Sequence, residues 1–296
     1  VERFNKIFKL SLVGATLNAK IIGNFCITLE SVGVIVLRER THLARHGISV
    51  EAKHFFHHKR VGDTVRNMVE RAKLVSHRVH YTEEGVGEGM KDVIAVVVQP
   101  GVEFGDEQVF DYNSEAAKEL CAMLKEYPDF CFEGHSTDYQ TPQCLYNMVT
   151  DGIAILKVGP ALTFGLREAL FALSKMEAEL VPAEERANFI DVPENTMLAN
   201  PANWAKHYHG DERQLALCRK YSYSDRARYY IGQPEVVECM NKLFDNLRKY
   251  TIPMNMLHQY MPMSYNKVRA GELELDPREL AMDGVAQYML DYEQAV

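Results

Sequence analysis

No stretch of this 296-residue chain approaches the ~20 consecutive apolar residues that a membrane-spanning helix requires, and no secretory leader is recognisable. The expectation is a soluble, cytoplasmic protein with no membrane partner. The six cysteines, Cys26, Cys121, Cys131, Cys144, Cys218 and Cys239, form no CxxC pair, which excludes a zinc ribbon or a thioredoxin-type motif and fits reduced thiols. A P-loop is also missing. The glycine cluster Gly85, Gly87, Gly89 precedes Lys91 without the Ser or Thr that must follow, and it leads into a strand rather than a helix. Neither GxGxxG nor a protein-kinase signature is present, so the common ATP-phosphate cradles are absent. There is no HExxH. His54 and His58 share a helical face, but Lys59 and Arg60 would repel a cation, so a solvated basic helix is expected there, as for His57, His77 and His80. A net charge of −8 argues against a nucleic-acid partner.

What the chain does have is three apolar runs that each end in a polar, glycine-bearing loop. These are Val93 to Phe104, Phe130 to Pro142 and Ile153 to Leu173. The pattern reads as buried parallel strands delivering side chains to a shared face, each followed by a helix. The first loop offers Gln99, Glu103 and Asp106. The second offers Glu133, His135, Ser136, Thr137 and Asp138 in quick succession. The third offers Lys157 and then Gly159-Pro160, with Leu162, Leu166, Leu170 and Leu173 at helical spacing behind them. A glycine-fed helix amino terminus attracts anions, and the loops after the last strands of a (β/α)8 barrel commonly hold phosphate. The alternative is that glycine and proline only close turns and that Lys157 pairs with a neighbouring carboxylate. A barrel is the favoured fold, with an open doubly wound sheet as the other α/β solution.

Read together, VVVQPGVEF, FEGHSTDYQTPQ, AILKVGPALTFGLREALFAL, AELVPAEE, HYHGD, YSYSDRARYY and YNKVRAGELELDPREL resemble the Z-type, non-catalytic subunit of class II D-tagatose-1,6-bisphosphate aldolase, a family also labelled tagatose-6-phosphate kinase. The resemblance runs from about Asp92 to the carboxyl end. It implies a TIM-like barrel in which the three runs are the sixth, seventh and eighth strands. It also implies a role in tagatose 6-phosphate, galactitol or N-acetylgalactosamine catabolism, as the partner that stabilises and activates a zinc-dependent catalytic aldolase subunit. No cofactor is expected in this chain, the zinc belonging to that partner. The family's DHLGPN and GTEVPxPGG blocks are not found.

Residues 1 to 90 carry 14 Lys plus Arg against 9 Asp plus Glu, a net of +5, whereas the rest carries 19 against 32, a net of −13. A shift of that size marks a boundary or foreign segment. The expected organisation is a divergent or mis-joined segment over 1–91, the last three β/α units of a TIM-like barrel over 92–180, and a mainly helical extension over 181–296. Only 92 residues precede the expected sixth strand, where five units would need roughly 125, so the barrel is expected to be incomplete or divergent. The first residue, Val1 rather than Met, fits a fragment or a processed or mispredicted gene product.

Glu133 and His135 are the one candidate metal pair, two ligands where a catalytic metal takes about three. With Asp138 they are vestigial catalytic candidates. Gln99, Ser136, Lys157, Gly159 and Arg226 are the candidate sugar-phosphate contacts, Arg226 because an arginine can grip phosphate bidentately. For the YSYSDRARYY stretch an internal Asp225–arginine bridge among tyrosines is an equal alternative to an interface. Two function classes stay open: the non-catalytic subunit, and a sugar-phosphate enzyme in its own right, either a metal-dependent aldolase or a tagatose-6-phosphate kinase. Self-association into a homo-oligomer stays open too.

Overall fold

The structure, a computed structural model, describes residues 34–37, 48–50, 93–126 and 131–295. The histidines from His54 to His80, the Gly85–Lys91 cluster and Cys26 lie outside the described residues. Three strands occupy the three apolar runs. They are β3 (Val93–Val98), β6 (Cys131–Gly134) and β7 (Ile155–Val158), and they are joined to β1 (Val34–Leu37) and β2 (Ile48–Val50) in one sheet of order β1-β7-β6-β3-β2. The pairings β2–β3, β3–β6 and β6–β7 are parallel, and β1 lies antiparallel to β7. From β2 to β7 each strand therefore lies beside the one before it, without the reversal of order that defines a doubly wound sheet.

Ala95, Phe132, Ile155, Leu156 and Val158 are buried, as expected of strands covered on both faces. Gly134 ends β6 at a close approach: a Cβ there would come within 3.0 Å of Ile153 Cγ2 and 3.1 Å of Met148 Cε. The TIM-like barrel expected from the sequence, incomplete or divergent in its first part, is not seen among the described residues. Their large sheet is open and has five strands, because its β7 edge is taken by an antiparallel strand rather than by the parallel first strand that closure requires.

A short hairpin, β4 (Glu103–Phe104) with β5 (Val109–Phe110), follows β3. Helices α1 (Ser114–Ala122) and α2 (Pro142–Thr150) then lead to β6 and β7. Every element described after β7 is helical: α3 (Pro160–Leu180), α4 (Asp191–Ala199), α5 (Glu212–Tyr221), α6 (Pro234–Tyr250), α7 (Met254–Tyr260), α8 (Pro262–Arg269) and α9 (Pro277–Gln294), with 3-10 turns at Pro201–Asn203 and Arg226–Tyr229. The proline-initiated starts of α3, α6 and α9 follow from a ring that fixes φ and lacks the N–H a first helical residue does not need. Among the described residues no helix is long and apolar enough to cross a membrane.

Helix α3 is the centre of the helical layer. Its 21 residues bury Leu162, Leu166, Leu170, Leu173 and Met176, and α9 and α6 pack along it. Gly165 of α3 and Gly284 of α9 allow the two backbones to touch, since a Cβ on Gly165 would lie 2.7 Å from Gly284 O. The amphipathic stripe of α6 buries Val236, Leu243, Phe244 and Leu247 against the same core. Glu177, almost fully buried near the end of α3, accepts from Ala187 N at 2.8 Å and Asn246 Nδ2 at 2.7 Å. It thus ties α6 and the loop before α4 to the central helix.

Candidate functional site

The carboxyl ends of β3, β6 and β7 meet along one edge, as parallel neighbours in register must. His135 Nε2 lies 2.7 Å from Glu133 Oε1, their side chains only 15% and 6% exposed. Alternation along a strand end puts the two on one face, with Gly134 packed between them on the other. Gln99 Nε2, at the end of β3, donates to Ser136 Oγ at 3.1 Å and to Glu103 Oε2 at 3.0 Å. The β3 and β6 loops are thereby clasped together. Asp106 lies further along the β3 loop and accepts the hydroxyls of Ser222 and Ser224 at 2.7 and 3.1 Å.

Asp138 reaches over to β7. Its Oδ1 accepts from Gly159 N and Ala161 N, both at 2.8 Å, and Pro160 between them has no N–H to offer. The anion at the amino terminus of α3 is therefore this chain's own carboxylate, placed where the helix dipole favours negative charge. Burial raises the Asp138 pKa above the ordinary carboxylate value, and the two backbone N–H bonds offset only part of that rise. Lys157 stands half-buried on β7. Its carbonyl accepts from Thr137 Oγ1 at 2.7 Å, and among the described residues its ammonium makes no ion pair.

The loop between β6 and α2 is held in sparsely populated backbone. Ser136 has φ +56° and Tyr139 φ +62°, the left-handed region that bulky residues avoid. What over-determines it is an aromatic cluster and two tethers. The Tyr139 ring meets Phe104, Phe164 and Tyr288 edge-on at 5.3, 5.4 and 6.2 Å, and its hydroxyl donates to Tyr223 O at 2.6 Å. Tyr292, nearly at the end of α9, donates to Thr137 O at 2.8 Å. Burial pushes the hydroxyls of Tyr139 and Tyr292 well above the ordinary tyrosine value, so both stay protonated donors.

Arg226 lies apart from this edge, its Nη1 donating to Asn203 O at 3.0 Å. Asp225 beside it is buried and bonded by Arg167 Nε at 2.7 Å, from α3 rather than from within its own stretch. The structure therefore brings Gln99, Glu133, His135, Ser136, Asp138, Lys157 and Gly159 to one sheet edge and leaves Arg226 on the 3-10 turn that packs against α4 and α5. Tyr139, Phe164, Tyr288 and Tyr292 were not foreseen as parts of this region. Only Tyr139 carried a signal, sitting inside the polar loop already singled out.

Glu133 and His135 supply two donors, and among the described residues no group of three or more His, Cys, Asp or Glu is placed to hold a metal. A catalytic zinc takes three protein ligands and an open position, so this pair does not fit one by itself. As a hydrogen-bonded carboxylate and imidazole the two can hold or pass a proton. Cys131, at the start of the same strand, has its thiol pushed up to about 11 by burial and by the Glu133 carboxylate, which keeps it protonated and inert at neutral pH.

Residues 57–296 match the family described as D-tagatose-1,6-bisphosphate aldolase subunit GatZ/KbaZ-like, a match that reaches upstream of Asp92 into a segment with no strand-end motif. The chain is also similar to the crystal structure of a probable tagatose 6 phosphate kinase from Sinorhizobium meliloti 1021. The identity is 38% and the TM-score 0.75, over 84% of this chain and 62% of that one. The chain thus spans less than two thirds of the length of that relative.

Proposed function

The chain belongs to the GatZ/KbaZ-like family of D-tagatose-1,6-bisphosphate aldolase subunits, and from that membership we propose that it is the non-catalytic subunit, stabilising and activating a separate class II aldolase in sugar-phosphate catabolism. The observation that carries this reading is the donor set at the strand ends. Class II aldol cleavage needs a metal to polarise the ketose carbonyl and hold the enediolate, and among the described residues Glu133 with His135 offers two ligands where three are needed. The helix terminus that a substrate phosphate would use is taken by Asp138. The run of parallel neighbours from β2 to β7 supports reading this sheet as the last part of a TIM-like barrel, with α4 to α9 as a helical extension. On this reading Gln99, Ser136 and Lys157 are what remains of a sugar-phosphate face, and the partner is the zinc-bearing aldolase subunit.

The test is cleavage of tagatose 1,6-bisphosphate by the purified protein alone, by a class II catalytic subunit alone, and by the mixture. Expected are no turnover by this protein and a faster, more heat-resistant reaction in the mixture. A mixture that gains neither rate nor thermal stability overturns the proposal. The second reading, an enzyme in its own right, is favoured by the Glu133–His135 proton-handling pair. It predicts turnover by the protein alone that His135→Asn abolishes. Its kinase form predicts ATP-dependent phosphorylation of tagatose 6-phosphate.

A further inference from the structure

The hairpin that follows β3 is fastened at three places. At its base Gln99 holds Ser136, and the Gln140 side chain accepts from Tyr112 N at 2.8 Å and donates to Phe110 O at 2.9 Å. Midway, the Phe104 ring stands edge-on to Tyr139 at 5.3 Å. At its tip Asp106 Oδ1 accepts from Ser222 Oγ at 2.7 Å and Ser224 Oγ at 3.1 Å, and Asp106 O accepts from Tyr223 N at 3.0 Å. Ser136, Tyr139 and Gln140 all belong to the loop between β6 and α2, the loop that carries His135 and Asp138. Both legs of the hairpin therefore stand against that loop, while the tip is moored to a segment 116 positions further along the chain.

Packing does little to hold it. None of residues 103–111 is buried, whereas Val102 and Tyr112 on either side are 1% and 6% exposed and sit in the main core. Strands β4 and β5 have two residues each and pair with one another, not with the large sheet, and an isolated two-stranded hairpin is marginal in water. Gly101 has φ +84° just ahead of Val102, and a Cβ on Gly101 or Gly105 would meet nothing within 4 Å. An unburied hairpin between two core residues, tied down mainly by polar side-chain bonds, is a unit that can open while the rest stays folded. The segments it ties together are strained. Ser136 and Tyr139 in one and Asp225 in the other are three of the five non-glycine residues with positive φ among the described residues, and such backbone gathers at clamps and switches.

We propose that the β4–β5 hairpin is a lid over the strand-end face, pivoting at Val102 and Tyr112 and latched shut where Asp106 accepts the hydroxyls of Ser222 and Ser224. The conformation described above is the closed one. The lid rests on the strand ends being the working face of the chain, and not on whether that face belongs to a subunit or to an enzyme. Its test needs neither an aldolase partner nor a substrate, so its failure is separate from a failure of the subunit assay.

The test is residue-resolved hydrogen exchange of the full protein under native conditions, combined with modification of His135 by diethyl pyrocarbonate. The Tyr223 amide, bonded to Asp106 O, reports the latch, and amides in the middle of α6 report the folded body. The His135 side chain, 15% exposed, reports access to the face. Two variants remove the latch from opposite sides, Asp106→Ala and the double replacement Ser222→Ala with Ser224→Ala, so that one serves if the other does not fold. Each should speed exchange at Tyr223 by roughly tenfold or more and leave α6 at the wild-type rate. Modification of His135 should accelerate with it. Wild-type exchange at Tyr223 means that these hydroxyls are not the latch, and equal acceleration at Tyr223 and α6 means that they serve global stability alone. Faster exchange at Tyr223 with His135 modified at the wild-type rate means that the hairpin moves without covering the face. Each of these three results overturns the proposal.

Discussion

Asp225 adopts a left-handed backbone at φ +43° and turns its buried carboxylate toward Arg167 Nε at 2.7 Å and the hydroxyl of Thr163. Removing it would leave Arg167 as an uncompensated buried charge, which costs about 3–5 kcal/mol. Asp225→Ala should therefore lower the unfolding free energy measured in urea by that amount, whereas Arg226→Ala, on a half-buried neighbour, should change it by less than about 1 kcal/mol. Asp276 behaves differently. It caps α9 through Arg278 N at 2.9 Å and is held by Arg248 Nε at 2.7 Å, and that hydrogen bond lowers its pKa below 3.8. A depressed carboxylate contributes stability that is present above its unfolded value and is lost as pH falls through its folded value. Asp276→Asn keeps a good cap but loses the ion pair. It should cost about 0.5–1 kcal/mol at neutral pH, for a partly exposed pair, with the difference from wild type vanishing in acid. Denaturation curves across pH check this. The sequence allowed an internal Asp225–arginine bridge but did not say which arginine, because a partner some 58 residues away leaves no local pattern.

The α3–α9 crossing makes glycine matter at the scale of elements. On an isolated helix, Gly to Ala gains about 0.5–1 kcal/mol. Here a Cβ on Gly165 would lie 2.7 Å from Gly284 O and from the Tyr288 ring, and one on Gly284 would lie 2.7 Å from Ala169 Cβ. Backbone oxygen cannot step aside, so overpacking wins. Gly165→Ala and Gly284→Ala should each destabilise by about 1–3 kcal/mol, read as a lower denaturant midpoint, where a non-contact site would show a gain. The elements themselves were legible because periodicity and proline mark them: β3, β6 and β7 fall in the three apolar runs, and α3 begins at Pro160. The hairpin β4–β5 was not legible, since two-residue strands carry no period. Nor was the crossing, because a lone glycine inside a helical stripe reads only as a weak helix former.

Across the whole molecule, the candidate site is held from its far end. Tyr292 on α9 is buried and reaches the β6 loop 155 positions earlier, donating to Thr137 O at 2.8 Å and lying 3.1 Å from Thr137 Oγ1, which in turn bonds Lys157 O on β7. One hydroxyl thus links the last helix to two strand ends. Asp138, the next residue after Thr137, caps α3, so the same chain of contacts runs into the central helix. Nothing in the sequence announced this closure, because a tyrosine near the end of an amphipathic helix is ordinary core until its hydroxyl is seen to find a partner. Tyr292→Phe keeps the ring and strands a buried carbonyl, and should cost about 1–2 kcal/mol. Tyr292→Ala also opens a cavity and should cost about 3–5 kcal/mol. Hydrogen exchange separates this from uniform weakening: in Tyr292→Phe under native conditions, the amides of Gly159 and Ala161 that Asp138 protects should exchange faster, while those in the middle of α6 stay at the wild-type rate. Equal acceleration in both places would mean that the hydroxyl contributes only to global stability and does not position the strand-end loop.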